Sequence, residues 1–167
     1  RQFAPIAKKE SGSFLLLNRN KRSMTLNLKT GEGRDIFCKL VKEADVIVEG
    51  FRPGVMQRLG LGYEALQAVN PRVVYCAISG FGQDGLDALK SGHDLNYMGI
   101  AGALQLFGTP GTGPIVPGLS IADVGGGSLM AAFGILTALA ARDRTGQGQF
   151  VDISMTDGLV SWLCYHA

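Results

Sequence analysis

Two apolar runs of strand length constrain the fold of this chain more than any other feature. "DVIVEGF" (45–51) and "RVVYCAIS" (72–79) are rich in β-branched residues, as are strands buried on both faces of a parallel sheet. Helical periodicity precedes the first run in "GEGRDIFCKLVKEA" and separates the two runs in "VMQRL" and "YEALQAV". This alternation predicts an α/β fold, with a parallel sheet of Rossmann-like β-α-β units.

The remaining segments extend this prediction along the chain. "SFLLLN" and "MTLNL" are predicted as strands near the N-terminus, and "FVDISM" as a strand near the C-terminus. Helices are predicted over "DLNYMGIAGALQL" and "SLMAAFGILTALAARDR", with a Pro/Gly loop at 107–118 between them and a last helix beginning near Thr156. Residues 1–167 are expected to form a single α/β domain.

Charge and cysteine content exclude several classes of protein. Sixteen basic and 14 acidic residues give a net charge of +2, too small to predict nucleic-acid binding. The local cluster "NRNKR" fits either a solvated turn or a phosphate contact. Three cysteines without CxxC spacing favour neither a disulfide framework nor a zinc site, and no other metal ligands occur at useful spacing. A reducing, cytoplasmic location is expected.

The chain is also expected to have no membrane span. "RQFAPIAKKE" has no apolar segment typical of a signal peptide. The longest apolar stretch, from Leu129 to Ala141, is too short to cross a bilayer and is predicted as a buried helix.

Asp123 is the first candidate for chemistry, because it lies near the start of the long predicted helix in "IADVGGGS". Aspartate is a favoured helix N-cap, so a purely structural role is one explanation. The three glycines at 125–127 weaken a helix start, and we expect them to provide room for a ligand against the backbone.

His93 is the second candidate, in the polar stretch "SGHDLNY". On the residues alone it fits a surface or capping histidine as well as a catalytic one, and Asp94 fits a helix cap. His166 has no polar residues around it that suggest a site. The glycine-rich stretches "GFGQDG" and "GTPGTG" lack the complete patterns of nucleotide-binding loops, and no G-x-S-x-G elbow is present.

Seven ordered segments together resemble the family III CoA-transferases, a family that includes α-methylacyl-CoA racemase. They are "LNRNKRSMTLNLKTGEG", "ADVIVEGFRPGVMQRLGLGYE", "NPRVVY", "SGFGQDG", "GHDLNY", "ADVGGGSLMAAFGILTAL" and "RTGQGQFVDISMTDG".

The resemblance implies roles for individual residues. Asp123 matches the family's catalytic aspartate, and His93 matches the histidine that is its partner in the racemase branch. Arg58 matches an arginine at the adenine-nucleotide end of coenzyme A. The residues implied to line the acyl-CoA site are Leu26, Asn27, Leu28, Lys29, Gly92, Asp94, Leu95, Asn96 and Tyr97. Coenzyme A is then part of the substrate, and no permanently bound cofactor is expected.

Two reactions remain open. In racemisation of a 2-methylacyl-CoA, His93 and Asp123 would exchange the α-proton on opposite faces through an enolate, which backbone N–H groups near the glycines would stabilise. In CoA transfer, Asp123 would attack the thioester to give a mixed anhydride and then an aspartyl thioester. His93 favours the racemase. An inactive acyl-CoA-binding or assembly domain is a third alternative.

The resemblance also implies that this domain is incomplete. Family members are longer, with an N-terminal strand and a C-terminal part that we expect to be absent here, and they form interlocked homodimers. The loop at 107–118 is expected to form part of the acyl pocket.

Overall fold

A computed structural model describes residues 4–7 and 9–166 of the chain. The first half of the described chain alternates short strands and helices. In chain order its elements are β1 Ile6–Ala7, β2 Glu10–Ser11, α1 Gly12–Leu17, α2 Gly31–Val41, β3 Val46–Glu49, α3 Val55–Arg58, α4 Tyr63–Val69 and β4 Val74–Ser79.

The second half is mostly helical and returns to the sheet once. Its elements are α5 Asp94–Ile100, a 3-10 helix Ala103–Leu106, β5 Gly108–Thr109, β6 Gly113–Pro114, a π-helical segment Ala122–Leu129, α6 Met130–Thr145, β7 Phe150–Ser154, α7 Met155–Val160 and a 3-10 helix Ser161–Leu163.

A three-stranded parallel sheet, in the order β3-β4-β7, organises these elements. Val46 is opposite Val74, and Tyr75 is opposite Phe150. The predicted α/β fold with a parallel sheet is therefore confirmed, and with it the helices in the β3-β4 region. Since parallel strands end at the same edge, the loops after β3 and β4 meet there.

Two hydrophobic cores position the loops at that edge. The first core lies between the sheet and helices α2 and α4, and includes Val41, Leu66 and Tyr75. The second core joins helix α5 to the π-helical segment and α7, through Tyr97, Met98, Ala122 and Leu159. The second core fixes "GHDLNY" against "ADVGGGS".

The strand predictions near the N-terminus were wrong. "SFLLLN" forms helix α1, because the Ser11 hydroxyl accepts a hydrogen bond from the Phe14 N–H and caps the first turn. "MTLNL" forms no strand, since the Asn27 carbonyl accepts hydrogen bonds from the Thr30 N–H and hydroxyl in a turn before α2. The single helix predicted at 94–106 is interrupted at Gly102, which has a φ of +81°.

The long helix is less buried than predicted. Only Ala131 and Ala138 of α6 are fully buried, whereas Leu129, Phe133 and Leu136 are 58–69% exposed. The continuous helix Ala122–Thr145 is, by length and composition alone, apolar enough to cross a membrane. This is weak evidence for a span, because core helices of soluble proteins meet the same criterion. One face of the helix packs against the sheet, where Gly134 lies close to Val151.

Candidate active site

Asp123 lies in the first turn of the π-helical segment, and it is not an N-cap. Ile121, before the segment, already has helical backbone angles, and no side chain caps the turn. The Asp123 N–H, one of the donors that a helix start leaves free, donates instead to the Asp94 carboxylate at 2.9 Å. This bond joins the two segments that the sequence marked as candidates for chemistry.

The environment of the Asp123 carboxyl favours its protonated form. Burial, and next the negative charge of Asp94, raise the pKa of Asp123 above its ordinary value, while the charge of His93 lowers it. The side chain is only partly buried, so a substrate can reach it. A carboxyl group with a raised pKa is suited to giving and taking protons.

His93 lies directly before helix α5 and has an exposed side chain. Its backbone N–H donates to the Asn96 side chain at 2.9 Å, so Asn96 caps the start of the helix and fixes the backbone of His93. Because its charge acts on Asp123, the imidazole shares the electrostatic environment of the carboxyl. His93 is also adjacent in sequence to Asp94, whose carboxylate accepts the Asp123 N–H.

Tyr97 holds the loop that carries His93. Its hydroxyl donates to the Gly92 carbonyl at 2.6 Å, and its buried ring packs edge-on against Phe81 at 5.3 Å. A Cβ at Gly80 would collide with this ring, and one at Gly92 would lie 2.7 Å from it. Glycine is therefore required at both positions for the ring to pack here.

The glycines at 125–127 do not provide room for a ligand, and that expectation was wrong. All three are buried. A Cβ at Gly125 would collide with the Trp162 ring, one at Gly126 with the Met155 carbonyl oxygen, and one at Gly127 would lie 3.0 Å from the Met155 side chain. These glycines let α7 and the following 3-10 helix approach the π-helical segment closely.

The implied coenzyme A residues belong to separate parts of the fold. Leu28 packs against the first core, and Asn27 accepts a hydrogen bond from the Lys29 N–H, in the turn that also contains Leu26. Arg58 is exposed at the end of α3. Asp94, Leu95, Asn96 and Tyr97 form the start of α5, beside Asp123.

A cavity of about 160 Å³ lies at the carboxyl ends of β3 and β4, next to this cluster. Two cations and a buried hydroxyl line it, and the sequence analysis missed all three. The Ser79 hydroxyl has no hydrogen-bond partner within the described residues. A signal for Arg52 was present, since it follows Gly50 in the turn after a predicted strand. The lining includes Gly50, Arg52, Ser79, Lys90, Gly92 and Tyr97.

A second cavity, of about 290 Å³, is lined by acidic instead of basic side chains. Asp84, Asp152 and Asp157 line it, and burial is the main cause that raises the pKa of Asp152. Its negative charge would repel the phosphates of coenzyme A. No group of three or more His, Cys, Asp or Glu side chains among the described residues is arranged to hold a metal ion.

These features define an α/β protein with an aspartate and a histidine beside a cavity at the carboxyl edge of a parallel sheet. Residues 1–167 match the family model described as CoA-transferase family III. The chain belongs to CoA-transferase family III.

Relatives in this family include enzymes with different reactions. The chain is 46% identical over 142 residues to the human protein named "Alpha-methylacyl-CoA racemase", covering 85% of this chain and 37% of the relative. It is 43% identical to the Acetobacter aceti protein "Acetyl-CoA:oxalate CoA-transferase", covering 98% of this chain and 42% of the relative.

A solved structure supports the fold over nearly the whole chain. The crystal structure of a CAIB/BAIF family protein from Brucella suis matches with a TM-score of 0.91 and 37% identity, covering 99% of this chain and 45% of that one. The chain therefore spans less than half the length of these relatives.

Proposed function

We propose that this chain carries the catalytic aspartate and histidine of an acyl-CoA enzyme that racemises or epimerises the α-carbon of a 2-methylacyl-CoA. The observation that carries the proposal is the contact between the two candidate segments, in which Asp94 holds the Asp123 backbone and the charge of His93 acts on the Asp123 carboxyl. The relative named as a racemase is consistent with it.

The chemistry needs two groups that exchange a proton with one carbon atom. The thioester carbonyl acidifies the α-proton, so His93 would remove it from one enantiomer and Asp123 would return a proton on the opposite face. For the other enantiomer the roles reverse. A raised pKa of Asp123 supports this exchange, because the carboxyl then holds a proton more readily.

Coenzyme A is proposed to lie along the edge where β3 and β4 end. Arg52 supplies positive charge beside Gly92 and Tyr97, which suits the phosphates of coenzyme A, whereas the Lys90 ammonium is paired with the Asp87 carboxylate at 2.6 Å. The residues Leu26, Asn27, Leu28, Lys29 and Arg58 are proposed to make further contacts along the same molecule.

The alternative is a CoA transferase, which the Acetobacter aceti relative favours because it covers more of this chain. There the ionised Asp123 would attack the acyl-CoA, form a mixed anhydride with release of the thiolate, and then exchange acyl for coenzyme A. His93 has no required step in that reaction, so the two proposals differ in their need for the histidine.

We also propose that the protein is a cytoplasmic homodimer. The exposed apolar side chains Leu129, Phe133 and Leu136 on the long helix are a surface that further protein would cover. The free thiols of Cys38, Cys76 and Cys164 suit a reducing compartment.

The decisive experiment uses the protein at its full natural length and one enantiomer of a 2-methylacyl-CoA in deuterated water. We expect deuterium to be incorporated at the α-carbon with inversion of its configuration. Mass spectrometry and NMR measure this change. His93→Ala and Asp123→Asn should each lower the rate by at least about 100-fold, because each removes one acid–base group. His166→Ala and Asp35→Asn, which change exposed residues, should not.

If His93→Ala and Asp123→Asn both still exchange the α-proton as fast as the wild type, the racemase proposal is contradicted. If no exchange occurs and coenzyme A moves instead to an added carboxylic acid, with Asp123→Asn inactive and His93→Ala active, the protein is a transferase. If neither reaction occurs and acyl-CoA still binds, the chain is the inactive binding domain.

A further inference from the structure

Asp94 accepts a hydrogen bond from outside its own helix, which a simple helix cap does not do. It is the first residue of α5, where the helix dipole alone would favour a carboxylate. Its Oδ1 nevertheless accepts the N–H of Asp123, 29 residues further along the chain. The bond satisfies a donor at the start of the π-helical segment, and it connects two separate elements.

The contact acts on Asp123 in two ways. The hydrogen bond fixes the backbone from which the Asp123 side chain extends, and the Asp94 charge lies close enough to make ionisation of Asp123 harder. Burial, and next the charge of Asp123, raise the pKa of Tyr97, which lies on the same helix as Asp94. Asp94 and Asp123 are thus coupled through both geometry and charge.

The other elements packed against the π-helical segment carry titratable groups of their own. Those groups are Tyr75 and Cys76 on β4, Asp152 on β7, Asp157 on α7, and Arg142, Asp143 and Arg144 on α6. The arginines and Asp143 lie in the last two turns of α6, far along the helix from Asp123. The charge of Asp157 acts on Asp152. The groups whose charges act on Asp123 are Asp94 and His93.

We infer that Asp94 is a positioning residue for Asp123, because its carboxylate holds the Asp123 backbone through the 2.9 Å hydrogen bond between the two elements. This assignment replaces the contact with coenzyme A that the family resemblance implied for Asp94. It rests on the proposed function, in which Asp123 exchanges a proton with the substrate.

The first test measures the titration of Asp123 without substrate. Protein of full natural length is labelled with [4-¹³C]aspartate, and the Asp123 signal is assigned by its absence in Asp123→Asn. Asp94→Asn keeps the acceptor oxygen and removes the charge, so we expect the pKa of Asp123 to fall. Asp157→Asn removes a carboxylate on α7, whose charge is not among those that act on Asp123, and should leave the Asp123 titration unchanged.

The second test separates charge from position by kinetics. For the enantiomer that needs Asp123 as the base, kcat/KM falls at acid pH as Asp123 becomes protonated. In Asp94→Asn this fall should occur at lower pH than in the wild type, because the pKa of Asp123 is then lower. Above that pH range, kcat should stay within about threefold of wild type, since the acceptor is retained. Asp94→Ala removes the acceptor as well, and should lower kcat by at least about tenfold.

An Asp123 titration that is the same in wild type, Asp94→Asn and Asp94→Ala would overturn the inference. A rise in KM for acyl-CoA with unchanged kcat and unchanged titration would return Asp94 to the role of a coenzyme A contact. If Asp123→Asn proves fully active, the proposed function fails, and the substrate-free titration still decides whether Asp94 acts on Asp123.

Discussion

At the scale of single residues, the site combines groups that oppose each other electrostatically. Burial and Asp94 disfavour the charged Asp123 carboxylate, and His93 favours it. The net effect is a pKa above that of an ordinary aspartate, which suits a residue that the proposed racemisation uses as an acid for one enantiomer and as a base for the other. Asp94 and Asp123 are 29 positions apart in the sequence, and packing in the second core brings them into contact.

Arg52 provides a residue-scale prediction about coenzyme A. It lines the cavity beside Gly92 and Tyr97 and is itself exposed. Arg52→Gln should weaken coenzyme A binding by about fivefold at low salt, since an exposed ion pair contributes up to about 1 kcal/mol. Calorimetry at two salt concentrations would measure this change. Arg144→Gln, which removes an exposed arginine from the end of α6, is the control, and an equal effect of both variants would contradict a specific contact.

The sequence indicated which residues are candidates for the site, but it did not indicate which side chains surround them. Asp123 and His93 stand in segments recognisable from their order, and the structure brings those segments together, while their catalytic roles remain predictions. Arg52, Lys90 and the Asp94 contact were missed, because they depend on how loops after different strands meet. That arrangement is set by packing in the second core, and no spacing in the sequence encodes it.

At the scale of elements, the glycines at 125–127 illustrate the same limit. The sequence predicts that three glycines cost stability in a helix and need a compensating purpose. It could not indicate the purpose, because Met155 and Trp162, which occupy the space beside them, come 28 or more residues later. The glycines and Gly158 instead allow α7 to pack on the π-helical segment, and a Cβ at Gly158 would collide with the Gly126 carbonyl.

Gly126→Ala tests this packing. The added methyl would collide with the Met155 carbonyl oxygen and lie 3.0 Å from the Leu159 backbone nitrogen, so we expect a loss of about 1–3 kcal/mol in the free energy of unfolding. Urea unfolding of the protein at full natural length measures it. Gly31→Ala is the matched control, because nothing lies within 4 Å of the added atom at the start of α2. Unchanged stability in Gly126→Ala would mean that α7 packs less closely.

At the scale of the whole molecule, the parallel sheet was predictable and the N-terminal region was not. β3, β4 and β7 are apolar runs bounded by turns, and each lies where its run was predicted. The leucines of "SFLLLN" gave an equally apolar run, yet they form α1 and stay exposed at 44–68%. An apolar run becomes a strand only where a neighbouring strand can pair with it, and sequence alone does not supply that neighbour.

The exposed stripe on the long helix leads to a prediction about assembly. Leu129, Phe133 and Leu136 follow helical spacing and form one apolar surface. In the proposed homodimer this surface is covered, so Phe133→Glu should shift the protein at full natural length towards monomer, because burying a charge there is unfavourable. Light scattering over a range of concentrations measures the change. Leu16→Glu places the same charge on a similarly exposed apolar residue of α1 and should have a smaller effect. A dimer that tolerates glutamate at 133 as well as at 16 would show that another surface holds the two copies together.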